Sequence, residues 1–172
     1  VVNDMLAELE LERATSSTKD IINHTTITPK QLYYNVKEQR AIDQLASLLQ
    51  PEHFVQVRDE LQKHGFRQGF ACLFHGAPGT GKTETVLQLA RTTGRNLMQV
   101  NISDIKSKWV GESEKNIKAV FSRYRKLVSE SDVAPILLFN EADAIIGKRL
   151  ENVQRSVDKM ENSMQNIILE EI

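Results

Sequence analysis

The run His75-Gly76-Ala77-Pro78-Gly79-Thr80-Gly81-Lys82-Thr83 limits what this chain can fold into more than any other stretch. From Gly76 it fits the spacing G-x-x-x-x-G-K-[ST], whose glycines let successive backbone N–H groups turn inward around a triphosphate. A helix that starts at such a loop aims its positive end at the same anion. The neighbouring residues agree with that geometry. Phe70-Ala71-Cys72-Leu73-Phe74 is a short apolar run of strand type. Thr83 to Thr92 reads as a helix with Val86, Leu87 and Ala90 on one side and Gly94 as its stop. Strand, glycine loop and helix in that order demand an α/β fold. The loop chemistry makes Lys82 the residue that reaches the β and γ phosphates and the Thr83 hydroxyl a ligand for Mg²⁺.

A second segment completes the expected site. Pro135-Ile136-Leu137-Leu138-Phe139 is apolar throughout, as suits a strand buried on both faces, and it runs into Asn140-Glu141-Ala142-Asp143. In phosphate-loop ATPases, which these two segments together resemble, the first of two acidic residues closing this strand holds Mg²⁺ through water and the second polarises the attacking water. Here the first position is Asn140. Its amide oxygen can accept a hydrogen bond from a metal-bound water or from Thr83, but without the negative charge that strengthens such a bond. Glu141 keeps its carboxylate and is the expected general base.

The phosphate loop and this strand end together resemble the AAA family of ATPases, and the rest of the chain fits that resemblance. Asn96 to Asn101 reads as another strand, followed by a segment ending in Trp109-Val110-Gly111-Glu112-Ser113-Glu114. That segment is similar to the AAA pore loop, where an aromatic and an aliphatic residue precede Gly-Glu-Ser-Glu. The resemblance puts Trp109, Val110 and Gly111 facing a central channel that grips extended polypeptide. The competing reading is that Trp109, the single tryptophan, packs against the next helix. The similarity runs from about Leu32 to the end of the chain, with three motifs in the family's order.

The resemblance implies a P-loop three-layer αβα fold with a parallel sheet, and ATP or ADP with Mg²⁺ as ligands. The nucleotide-binding set would be Gly76, Ala77, Pro78, Gly79, Thr80, Gly81, Lys82, Thr83 and Glu84, with Lys82 and Glu141 catalytic and Thr83 and Asn140 on the metal. It also implies a ring, a hexamer in the family, acting on a protein client. In AAA domains a sensor strand, an arginine finger, a further strand and a helical lid follow the last helix seen here. The chain of 172 residues is therefore expected to be an incomplete ATPase domain, with Arg149 and Arg155 too early to serve as the finger. The family's sheet order would put the absent strand between Phe70–Phe74 and Pro135–Phe139, exposing backbone groups on both sides unless a partner supplies the ladder.

Composition narrows the setting. A net charge of −1 gives no electrostatic case for nucleic acid, and Lys106 and Lys108 are too few to make one. One cysteine excludes a disulfide framework or a cysteine zinc site, and Cys72 is expected to be a buried, inert thiol. The four histidines show no ligand spacing, and His75 is expected to be structural. No apolar run is long enough to cross a bilayer, and the first residues do not resemble a secretory signal, so the expected location is cytoplasmic.

Residues 1–30 read as an N-terminal helical pattern (Asn3 to Arg13) and a Ser/Thr-rich linker (Thr15 to Thr28), and residues 31–172 as the ATPase core. Val36 to Leu49 places Ile42, Leu45, Ala46 and Leu49 on one helical face. Pro51 opens a second helix with Phe54, Val57 and Leu61, stopped at Gly65. By resemblance this pair lies near the adenine pocket. A further helix from Glu112 carries Ile117, Val120, Phe121, Tyr124, Leu127 and Val128. The last helix carries Val153, Val157, Met160, Met164, Ile167 and Ile168 as core packing.

The expected function is an ATP-hydrolysing module of a ring that remodels or threads a protein. Two alternatives stay open: a nucleotide-binding switch with weak hydrolysis because of Asn140, and a DNA-directed loader or regulator, against which the Trp-Val-Gly loop and balanced charge both argue.

Overall fold

The computed structural model describes residues 20–66, 68–107, 113–144 and 166–168. In chain order the elements are β1 (Ile21–Ile22), a 3-10 turn (His24–Thr26), α1 (Val36–Leu49), α2 (Pro51–Lys63), α3 (Lys82–Thr92), β2 (Leu97–Asn101), α4 (Ile102–Ser107), α5 (Ser113–Ser129), β3 (Ile136–Asn140) and a second 3-10 turn (Ala142–Ala144). Their origins are local. Pro51 occupies the first turn of α2, where its missing N–H costs nothing. Gly94 follows the last turn of α3, and the Arg95 amide closes back on the Ala90 carbonyl at 2.9 Å.

The three strands form one sheet in the order β1-β2-β3. β2 and β3 are parallel, with Leu97 opposite Ile136 and Asn101 opposite Asn140. Side chains alternate across this pair. Leu97, Ile136 and Leu138 face a cluster with Val86, Ala90 and Ile27. Val100, Leu137 and Phe139 join a second cluster with Ile102, Ile105, Ile117, Phe121, Ile167 and Ile168. The sheet therefore separates α3 from α4 and α5. Leu97, Met98, Ile102 and Ile117 are fully buried, each contributing about 1.5–3 kcal/mol by leaving water. Of the last expected helix only 166–168 are described; they are helical, and Ile167 and Ile168 are core residues as expected.

Three expectations need correction. The sheet is mixed, not all parallel: β1 pairs antiparallel with β2, Ile21 opposite Met98, and the Gln99 amide donates to the Asp20 carbonyl at 2.8 Å. This short strand covers an edge of β2 that would otherwise present bare backbone. It comes from the stretch expected as linker, whose residues 20–28 lie against the body: Ile27 is buried and the Asn96 side-chain oxygen accepts from the His24 amide at 3.2 Å. Second, Phe70 to Phe74 forms no strand and carries no ladder among the described residues. A strand is a property of a pair, and no described strand pairs with it. Leu73 is consequently 64% exposed and Phe70 39%, while Phe74 alone reaches the Val86 cluster. Third, Cys72 on that segment is exposed, not buried. Neighbouring atoms still desolvate its thiol enough to push the pKa up.

Arg95 ties the helical pair to the sheet. It is 2% exposed, donates from Nε to the Leu49 carbonyl at 2.8 Å and from Nη1 to the Ala134 carbonyl, and lies 4.5 Å over the Phe54 ring. Burial pulls its pKa down, yet an arginine stays charged.

Candidate nucleotide site

The carboxyl ends of two parallel strands and the start of one helix converge on the glycine loop, the position where open α/β sheets bind ligands. The loop runs from Gly76 directly into α3 at Lys82. Gly79 and Gly81 have φ of 74° and 85°, a left-handed conformation that residues with a Cβ adopt only at a cost. Gly81 is the N-cap of α3 and has no side chain to satisfy the first amides of the helix, so these remain free to meet an anion.

Side chains hold the loop in its curve. Lys82 Nζ donates to the Gly76 carbonyl at 2.9 Å and to the Ala77 carbonyl at 2.8 Å. Thr80 Oγ1 donates to the Ala77 carbonyl at 2.9 Å. Thr85, buried one turn into α3, donates from Oγ1 to the Gly81 carbonyl at 2.9 Å and meets the Tyr34 hydroxyl at 2.9 Å. Glu84 receives Lys30 Nζ at 2.7 Å and Gln88 Nε2 at 2.9 Å, and these hydrogen bonds, Lys30 first, hold its carboxyl below the usual range. Gln88 Nε2 also reaches the Thr28 carbonyl at 2.9 Å. Residues 28–34 are thereby fastened along the loop helix, a contact that the Ser/Thr-rich composition concealed.

At the end of β3 the structure brings together the two residues expected to face the metal. Thr83 Oγ1 donates to Asn140 Oδ1 at 3.3 Å. Asn140 Nδ2 donates to Asn101 Oδ1 at 3.2 Å, and Asn101 Nδ2 to Asp104 Oδ2 at 3.3 Å. Sequence reading missed Asn101 and Asp104; the available signal was a polar residue ending β2 opposite another ending β3. Glu141, the next residue, is exposed with φ of 58°, the one non-glycine residue with positive φ among those described. Holding a glutamate there costs on the order of 1 kcal/mol, a strain typical of functional positions.

Mg²⁺ prefers hard oxygen ligands and retains waters and phosphate oxygens in its shell. A threonine hydroxyl and an amide oxygen 3.3 Å apart beside the loop fit that demand. Among the described residues no group of three or more His, Cys, Asp or Glu could hold a metal by itself. Two neutral oxygen donors of this kind would suit a cation that takes phosphate oxygens into its shell. Trp109, Val110 and Gly111 lie outside the described residues, between the end of α4 at Ser107 and the start of α5 at Ser113. Among the described residues no helix is long and apolar enough to cross a membrane.

Comparison with known proteins bears on the same segment. The family described as "ATPase family associated with various cellular activities (AAA)" matches residues 72–172. Cell division protein C of Sulfolobus acidocaldarius is 36% identical over 91 residues, 52% of this chain and 24% of that protein. Cell division control protein 48 homolog C of Arabidopsis thaliana is 33% identical over 116 residues, 67% of this chain and 12% of that protein. Peroxisomal ATPase PEX6 of Komagataella pastoris is 34% identical over 91 residues, 52% of this chain and 7% of that protein. The chain thus spans at most about a quarter of these relatives.

Proposed function

The chain belongs to the AAA family of ATPases, and from that premise we propose that it binds ATP with Mg²⁺ and hydrolyses it within a ring that remodels or threads a protein client. The observation that carries the reading is the Thr83–Asn140 contact at 3.3 Å, which joins the phosphate loop to the end of β3. The complete domain is then a three-layer αβα fold with a larger parallel core, with residues 31–172 its nucleotide-binding part. Names of the similar proteins, an ATPase among them, support the class of activity. The hexameric ring and the protein client rest on family resemblance.

The residues divide the work by position. The backbone N–H groups of Gly76 to Thr83, except Pro78, which has none, and the start of α3 bind the phosphates, with Glu84 immediately beyond. Lys82 exchanges two loop carbonyls for phosphate oxygens. Mg²⁺, held on the Thr83 and Asn140 side, supplies charge compensation for the triphosphate. Glu141 accepts a proton from a water that it orients toward the γ-phosphate. Such catalysis is mainly positioning and electrostatic stabilisation. The Trp109–Val110–Gly111 loop couples turnover to the client.

A second reading, a nucleotide switch with little hydrolysis, is favoured by one feature only: Asn140 offers a neutral amide where a carboxylate would strengthen the metal contact. Glu141→Gln in the intact protein tests the main reading. Its ATP affinity should stay within a few-fold while turnover falls by about 100-fold or more, the usual worth of a general base. Unchanged turnover would remove Glu141 from the role.

A further inference from the structure

The neutral amide at position 140 poses a problem that an aspartate would not. An asparagine side chain has an acceptor end and a donor end of nearly the same shape; a threonine hydroxyl can pair with either, but only the acceptor suits a cation. The two oxygens of an aspartate are equivalent, so no orientation has to be chosen. Something must select the orientation of Asn140. The answer lies across the sheet. Asn101 stands opposite Asn140 in the β2–β3 register, and Asp104 follows three residues later in the first turn of α4. Asp104 has a carboxylate, which has no hydrogen to donate, so Asn101 must turn Nδ2 toward it, at 3.3 Å. That leaves Asn101 Oδ1 for Asn140, which must answer with Nδ2, at 3.2 Å. Asn140 Oδ1 is then the end left for Thr83, at 3.3 Å. The polarity of the whole chain of amides is dictated by its one pure acceptor.

We propose that Asn101 is a positioning residue, referenced to Asp104, that keeps the oxygen of the Asn140 amide toward the nucleotide and metal side, and that this relay lets a neutral side chain serve at position 140. The proposal rests on the reading of the site as one for Mg²⁺ and ATP. It predicts a specific dependence: Asn101 matters when residue 140 is asparagine and ceases to matter when it is aspartate.

The test is a double-mutant cycle on the intact protein: the parent, Asn101→Leu, Asn140→Asp, and both together. Leucine keeps the branching and bulk of asparagine but cannot accept a hydrogen bond. The readout is the affinity for a fluorescent ATP analogue with Mg²⁺ and with EDTA, whose ratio gives the metal enhancement without any turnover. In the parent background, Asn101→Leu should lower that enhancement about fivefold, the worth of one side-chain hydrogen bond. In the Asn140→Asp background the same change should cost less than about twofold. Equal losses in both backgrounds mean that Asn101 only supports the fold, and overturn the proposal; so does no loss in either. Failure of the hydrolytic reading is separable, because absent turnover with the cycle intact removes hydrolysis and leaves the relay. A parent with no affinity for ATP removes both.

Discussion

Replacing Arg95 by methionine should free the α1–α2 pair from the sheet while leaving the phosphate loop in place. The guanidinium makes two hydrogen bonds, to the Leu49 carbonyl at the end of α1 and to the Ala134 carbonyl just before β3, and it stacks over Phe54 of α2. Hydrogen bonds from a charged donor are worth about 1.5–3 kcal/mol each, and the ring contact adds about 0.5–2 kcal/mol. Against this stands the cost of burying a cation, the more so because Nη2 has no hydrogen-bond partner among the described residues. Methionine fills much of the space but leaves both carbonyls without their donor. The net loss should be about 2–3 kcal/mol, or about 30- to 150-fold in the local opening equilibrium. Native-state hydrogen exchange of the intact protein reads this directly. Amides within α1 and α2 should lose protection by that factor, while those of α3, anchored separately by Val86 and Ala90, should change little. Protection in α1 and α2 within about threefold of the parent would refute the account of Arg95 as the tie.

Further outcomes follow from the site. Lys82→Ala removes the charge that faces the phosphates and two bonds that shape the loop, so ATP affinity should fall by about 30-fold or more; titration showing affinity within about threefold would contradict the phosphate-loop assignment. Cys72 is accessible but its thiol pKa is raised by desolvation, so less thiolate is present at neutral pH than for a free cysteine. Its alkylation at neutral pH should be slow and should climb with pH to a midpoint above that of free cysteine. A midpoint at or below the free value would contradict the burial argument.

What could be read from the residues was whatever a local rule specifies. The apolar spacing of Ile42, Leu45, Ala46 and Leu49 marked α1, and its bounds match the expectation of Val36 to Leu49. The glycine spacing located the loop and the start of α3, and the apolar run after Pro135 located β3. What could not be read depended on partners distant in sequence. Phe70 to Phe74 has the composition of a strand, yet a strand requires a ladder, and none is present among the described residues. β1 is two residues long, too short for alternation to register, and it arose where Ser and Thr suggested a linker. Arg95 is buried, and no local pattern in the sequence marks it out. Asn140 was read as able to accept a hydrogen bond from Thr83, and that bond is present at 3.3 Å. Asn101 was missed as a site residue because the parallel register of β2 and β3 is what brings it to Asn140, and Asp104 follows through its bond to Asn101.

The most direct test of the account is the Mg²⁺-dependent ATP turnover of the intact protein, measured per subunit over a rising protein concentration. An ATPase that works as a ring predicts turnover that rises as subunits assemble and disappears in EDTA. Tight ATP binding with no turnover at any concentration would contradict it.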